Sequence, residues 1–419
     1  MALPWPIENR KNKEVTIYYH TLSNGLRLVH VTTTSQVAWC GLAVNAGSRD
    51  ECDGQHGLAH FVEHTIFKGT VHRRAWHILN RMERVGGELN AYTTKEGTML
   101  YSVFPHQHLA RAIDLLADLV QWSVFPQEEL DRERDVVLEE AASYRDTPSD
   151  AVYDDFEDLL LAGSELGHNI LGKKEDLENL TSEDCMRYLK TLYVPCNMAF
   201  FSVSPERPDR VFRLAEKCFG DMCHTMASRH RKAPLMVTPF RRTIQIGTHQ
   251  AHTIVGARVP DMNHPLRHAL MLLNNILGGP GMNSLLNVEL RERRGYVYTV
   301  ESTLTLLSDC GWMEIYLGCD PDDVRSSLHV IERITSRLSE DLMSERRLEA
   351  CKKQYCGQLV VAADSTEFMA MRAGRGLLYH GQVATIDETI ARIQAVTPEE
   401  IAQAAAFLAH DALSSLTFQ

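Results

Sequence analysis

Along the N-terminal third of the chain, apolar positions recur first at every second residue, then at every third or fourth, then at every second again. Residues 14–22 (EVTIYYHTL), 26–33 (LRLVHVTT) and 37–48 (VAWCGLAVNAGS) alternate and are rich in β-branched residues. They predict strands, with Asn24-Gly25 as a hairpin turn. Helical spacing over 57–67 and 73–85 predicts two helices, the second ended by Gly86-Gly87. Alternation over 88–104 (ELNAYTTKEGTMLYSVF) predicts strand, and helices follow over 106–122 and 127–146.

The same order then recurs. Residues 241–248 and 252–260 read as strands, 264–277 as a helix closed by Gly278-Gly279, and 281–295 as a second helix. Strands at 297–307 and 311–319 precede helices at 322–338, 343–361, 365–378, 386–394 and 397–408, and 413–418 reads as a last strand. The fold class is therefore read as α+β in two similar halves, residues 1–222 and 241–419. The Pro- and charge-rich stretch at 223–240 joins them.

Polar chemistry interrupts one predicted helix. The run HGLAHFVEHTIFKGT (His56–Thr70) places His60 and His64 one helical turn apart on a common face, with Glu63 beside them. Two imidazoles so spaced can share one zinc, and a neighbouring carboxylate can reach a water on it. The order H-x-x-E-H is the reverse of H-E-x-x-H and is a zinc peptidase pattern. The matching helix of the second half supplies an internal control. His56 and His60 correspond there to His264 and His268, but Glu63 and His64 correspond to Met271 and Leu272. Apolar residues suit this helix, so folding alone does not require Glu63 and His64.

A catalytic zinc takes three protein ligands and keeps one position open. The predicted helix ELDRERDVVLEEAASYRD offers Glu133 and Glu140, two turns apart on one face, while Glu139 points about 100° away. Val136, Val137 and Ala141 would make the Glu140 face apolar, so a carboxylate there needs a partner.

Composition narrows the classes. With 419 residues and 44% apolar content, the chain can bury more than one core. A net charge of -12 argues against nucleic acid as the main partner. The ten cysteines are scattered without a CxxC pair, which fits free thiols of a reducing compartment. No apolar run reaches the ~18 residues of a membrane span. The N-terminal MALPWPIENRKNKEV carries neither a secretory nor a mitochondrial pattern, so a cytoplasmic protein is expected.

Together, HFVEHTIFKGT, GGELNAYTTKEGT, ERDVVLEE, LTSEDCMRYLKTLYVPCNM and RERRGYVYTVES resemble the pitrilysin/insulinase family of zinc metallopeptidases, in the short form related to the catalytic subunit of mitochondrial processing peptidase. The family's glutamate ligand follows the second histidine by about 76 positions, where this chain has Glu140. The resemblance implies two homologous αβ domains, each a mixed or antiparallel sheet with helices on one side. Together they would form one bowl of a two-bowl clamshell. It implies one zinc per chain on His60, His64 and Glu140, Glu63 as general base, and Glu133 orienting a ligand histidine. Phe67, Asn90 and Ala91 would meet the substrate, the last two on an open edge strand to which a peptide can add. Arg291 and Tyr298 match the family's R-x(6)-Y pair, which contacts the substrate and can stabilise an oxyanion.

In the family's larger single-chain relatives the zinc and this pair lie in different bowls. For a chain that supplies one bowl the resemblance therefore implies a dimer. Because both parts are present, a homodimer suffices, with Arg291 and Tyr298 acting across the interface. The expected activity is a zinc-dependent endopeptidase cutting peptides or unfolded segments, and the acidic balance fits basic peptides. Two other readings are a catalytic subunit of a heterodimeric processing peptidase and a non-catalytic, structural or substrate-binding relative. The chain departs from the family pattern at Pro280, inside the glycine run GGPG, and at Tyr296, where a small apolar residue is usual.

Overall fold

The computed structural model describes residues 16–227, 229 and 231–419. The N-terminal stretch examined for a targeting pattern lies outside them. Strands β1 (Ile17–Thr21), β2 (Arg27–Thr32), β3 (Val37–Val44), β4 (Glu88–Thr93), β5 (Thr98–Pro105) and β6 (Met198–Ser204) form one sheet in the order β1-β2-β6-β3-β5-β4. A second sheet has β7 (Arg241–Ile244), β8 (Ala251–Val259), β9 (Val297–Leu306), β10 (Gly311–Cys319) and β11 (Ser414–Phe418) in the order β7-β11-β8-β10-β9. Apart from β1, the two sheets share one topology. β2 pairs in parallel with β6 as β7 does with β11, and every other pairing is antiparallel. In each sheet the last strand, β4 or β9, leaves one edge unpaired.

Helices α1 (Leu58–Thr65), α2 (Ala75–Glu83), α3 (Leu109–Trp122), α4 (Gln127–Arg145), α5 (Pro148–Leu160), α6 (Lys174–Leu177), α7 (Ser182–Leu192) and α8 (Pro208–Phe219) belong to the first half. The second half has α9 (Arg267–Gly278), α10 (Val324–Glu340), α11 (Glu345–Ala362), α12 (Thr366–His380), α13 (Ile386–Ala395) and α14 (Pro398–Ala406). The helices of each half build a core on one face of its own sheet. The opposite faces are covered by exchange. α12 lays Ala370, Ala373, Leu377 and Leu378 on Val29, Val31, Phe201 and Val203 of the first sheet. α5 lays Val152, Phe156 and Leu160 on Ile254, Trp312, Leu416 and Phe418 of the second. Each half therefore hides an apolar sheet face only with the other half present.

Two expected elements differ. The alternating run 88–104 is a hairpin, because Thr94–Gly97 turn the chain: Thr94 Oγ1 accepts the Gly97 N–H and donates to its carbonyl. The predicted helix at 281–295 is instead π-helical over Asn287–Glu292, with the Arg293 N–H reaching back five residues to Val288.

Candidate metal centre

α1 begins abruptly. Gly57 is left-handed (φ 97°), and a Cβ there would lie 2.9 Å from Gly172 Cα and Leu171 O. The Glu51 carboxylate accepts the Gly57 and Ala59 N–H groups at 2.9 and 2.7 Å, satisfying free donors at the helix start. Leu58, Ala59, Phe61, Val62 and Thr65 point into the core. That leaves His60, Glu63 and His64 facing β4 and α4.

His60 Nε2 and His64 Nε2 are 3.2 Å apart, and Glu140 Oε2 lies 3.8 Å from the first and 3.4 Å from the second. Among the described residues these three form the group able to hold a metal ion. Three electron-pair donors converge there, and among the described residues no lysine or arginine pairs with any of them. Lys68 pairs instead with Glu133 Oε2 at 2.5 Å. Two imidazole nitrogens and one carboxylate are a donor set that suits zinc. Glu133 Oε1 lies 3.1 Å from His64 Nδ1, so it accepts that N–H and leaves the Nε2 lone pair toward the site.

Burial, then the neighbouring His64, pushes His60 down to about 4, which favours the neutral, ligating form. Burial also raises Glu63 above the ordinary carboxylate range, opposed by hydrogen bonds from Thr93 on β4. Glu63 Oε2 is buried with no hydrogen-bond partner, a poised acceptor beside the triad. Glu140 is half-buried. Val137 beneath it is buried as expected, but Val136 is 51% exposed, so the apolar face beside the carboxylate is narrower than the sequence suggested.

Asn90 is exposed and Ala91 partly buried, both on the open-edged β4. Phe67 is partly buried and packs on the first core. Arg291 sits in the π-helical segment and lines a cavity of about 520 Å³ with the Gly278–Met282 loop. Tyr298 is 54% exposed on β9, and its hydroxyl donates to Asp320 Oδ2 at 3.1 Å. Among the described residues, no hydrogen bond or ion pair joins Arg291 and Tyr298 to each other or to the triad. Sequence reasoning had not singled out Lys68, Thr93 or Glu51. Lys68 alone had a visible signal, lying one turn beyond His64.

Residues 27–174 match the insulinase family, peptidase family M16, and residues 179–355 match the peptidase M16 inactive domain. An uncharacterized zinc protease of Streptomyces coelicolor is 32% identical over 92% of this chain and 86% of its own length. The chain belongs to the M16 insulinase family of peptidases. The uncharacterized zinc protease YmxG of Bacillus subtilis is 32% identical over 91% of this chain and 93% of its own length. The mitochondrial-processing peptidase subunit beta of Mus musculus is 28% identical over 98% and 85%. The fold matches that of a protease from Helicobacter pylori, with a TM-score of 0.89 at 21% identity, covering 97% of this chain and 99% of that one. M16 membership, with relatives named zinc proteases, supports a zinc peptidase. No helix among the described residues is long and apolar enough to cross a membrane.

Proposed function

We propose that this protein is a zinc-dependent endopeptidase that cuts peptides or unfolded segments. The observation that carries this is the convergence of His60, His64 and Glu140 on one point with the buried, partnerless Glu63 oxygen beside it. A zinc held there, one per chain, would supply Lewis acidity to a water and to the scissile carbonyl. Glu63 accepts the proton of the attacking water and returns it to the leaving amine. Its raised proton affinity suits both halves of that task. Thr93 holds the Glu63 carboxylate, and Glu133 fixes the His64 ring. The free edge of β4 receives the peptide backbone as an added strand, with Asn90, Ala91 and Phe67 around the cut.

The proposal includes a cytoplasmic homodimer in which Arg291 and Tyr298 of one chain serve the metal centre of the other. The exposure of Tyr298, with its hydroxyl turned to Asp320, supports the trans arrangement. The ten free cysteines favour a reducing compartment. A second reading, the catalytic subunit of a heterodimer, is favoured by the likeness to a relative named as a subunit.

The test is cleavage of a quenched fluorescent peptide library by the purified chain, beside Glu63→Gln, with zinc counted in both. Cutting by the wild type alone, at equal zinc content, is expected. If the zinc-loaded wild type forms a dimer and cuts nothing, the self-sufficient peptidase is wrong. Co-purification with a second subunit that restores cutting would then favour the heterodimer.

A further inference from the structure

Although the chain carries a net charge of -12, one groove reverses that sign. It has a volume of about 820 Å³ and runs between the start of α9, the face of α12 turned away from the first sheet, and α13. Arg267, Arg372, Arg375 and Arg392 line it, and no aspartate or glutamate does. Their acceptors are neutral. Arg267 donates to the Met262 carbonyl and His380, Arg372 to the Ala384 carbonyl and Thr389, and Arg375 to the Tyr92 hydroxyl. Among the described residues none of the four joins an ion pair. Burial and then Arg392 lower the proton affinity of Arg267, and burial with Arg267 and Arg392 pushes His268 down to about 4. These guanidiniums feel one another and lack a counter-charge, an arrangement that an incoming oxyanion relieves.

The groove opens beside the edge strand. Arg375 donates to Tyr92 on β4 at 2.9 Å and lies over its ring, 5.5 Å from the centroid. Side chains of β4 alternate between faces. Leu89 and Ala91 join the core on the α1 side, and Thr93 touches Glu63 there, while Tyr92 joins the cluster under α12. A peptide added to β4 would alternate in the same way. Every second side chain would turn toward α1 and the metal triad, and those between would turn toward α12, where Arg375 marks the mouth of the groove.

We propose that the groove binds acidic side chains of the peptide that adds to β4, so that the substrate class is peptides carrying Asp or Glu at alternate positions next to the cut. This rests on the peptidase reading above. It also reverses the expectation of basic peptides drawn from net charge, because a substrate side chain meets the local field of this groove. A peptide fits better than a compact polyphosphate. The four guanidiniums are spread over three helices in a lining that also holds Met271, Phe368 and Met371, and one of them, Arg375, reaches Tyr92 of the edge strand.

The test uses the full-length, zinc-loaded Glu63→Gln chain and fluorescein-labelled peptide pairs. Members of a pair differ only in carrying Glu or Gln at alternate positions, and both phases of alternation are made. In one phase the Glu peptide is expected to bind at least about tenfold tighter than its Gln partner, the size of one charge-assisted contact. The preference should shrink with salt and be lost in Arg392→Gln and Arg375→Gln. The Arg392 side chain makes no hydrogen bond or ion pair among the described residues, so its replacement leaves the fold intact, with thermal unfolding as the check. Equal binding of Glu and Gln peptides in both phases overturns the proposal. So does tripolyphosphate binding that Arg392→Gln abolishes while the peptide preference survives, which would assign the groove to a free polyanion. Wild-type cleavage of the Gln peptides reports separately on the peptidase reading, and the binding data decide the groove whether or not cleavage occurs.

Discussion

Glu51 accepts the backbone N–H of Ala59 at 2.7 Å, immediately before His60, the first histidine of the proposed metal triad. The same carboxylate lies 2.9 Å from His168 Nε2. Full burial pushes Glu51 from 4.5 up to about 8, and burial with Lys95 pushes His168 from 6.5 down to about 4. Between 4.5 and 8 the folded chain keeps a Glu51 proton that the unfolded chain releases, so Glu51 makes stability fall as pH rises. Between 4 and 6.5 the unfolded chain binds a His168 proton that the folded chain rejects, so His168 makes stability rise with pH. The two slopes oppose each other up to 6.5, and above it only that of Glu51 remains. Glu51→Gln should therefore flatten Tm against pH between 6.5 and 8 relative to wild type. Parallel profiles would show that Glu51 is ionised in the folded chain.

Glu133 holds His64 through Nδ1 and is itself held by Lys68. Glu133→Ala removes the acceptor that sets the His64 tautomer, and zinc affinity should fall roughly 10–100-fold in chelator competition. Lys68→Met leaves that acceptor in place and should cost less. Equal losses would mean that net charge near the site, rather than ring orientation, governs affinity.

Much of this centre was legible because its determinants are local. One helical turn separates His60 from His64, and two turns relate Glu133 to Glu140. The elements that escaped depend on context. β6 is MAFFSVS, buried at all seven positions, and so short an apolar run has no period that distinguishes strand from helix. The Thr94–Gly97 turn interrupts an alternation that continues on both sides, so its side-chain pattern does not show it. The π-helical stretch around Arg291 shifts backbone hydrogen bonds by one residue without altering which side chains are apolar. The exchange of α5 and α12 between the halves is non-local. Each is amphipathic, and nothing in either helix states which sheet it will cover.

Metal removal tests the triad without a substrate. A ligand present at about 100 times its Kd stabilises the folded chain by roughly 2.7 kcal/mol. Zinc-loaded wild type should melt higher than the chelator-treated protein, and Glu63→Gln should keep that gap because Glu63 is not a ligand in the proposal. His64→Ala and Glu140→Ala should lose it. A gap that survives loss of either residue would place the stabilising metal elsewhere.

The exchanged packing of α12 makes its own demand at Gly374. A Cβ there would lie 2.7 Å from Phe201 Cδ1 and 2.9 Å from Met99 Cε. The Met99 methyl can swing aside, but Phe201 is fully buried in the middle of the first sheet, between the rows that α12 covers. Gly374→Ala should therefore destabilise by about 1–3 kcal/mol, the usual cost of forcing a methyl into a close-packed core. A better helix former at that position offsets no more than about 1 kcal/mol. Phe201→Leu alone leaves a void and also destabilises. In the double variant the added methyl enters that void, so the combined loss should be smaller than the sum. Additive losses would mean that α12 shifts bodily on the sheet instead of meeting Phe201. Because α12 also carries Arg372 and Arg375, such a shift would weaken the Arg375–Tyr92 contact and, with it, the acidic-peptide preference proposed for the groove.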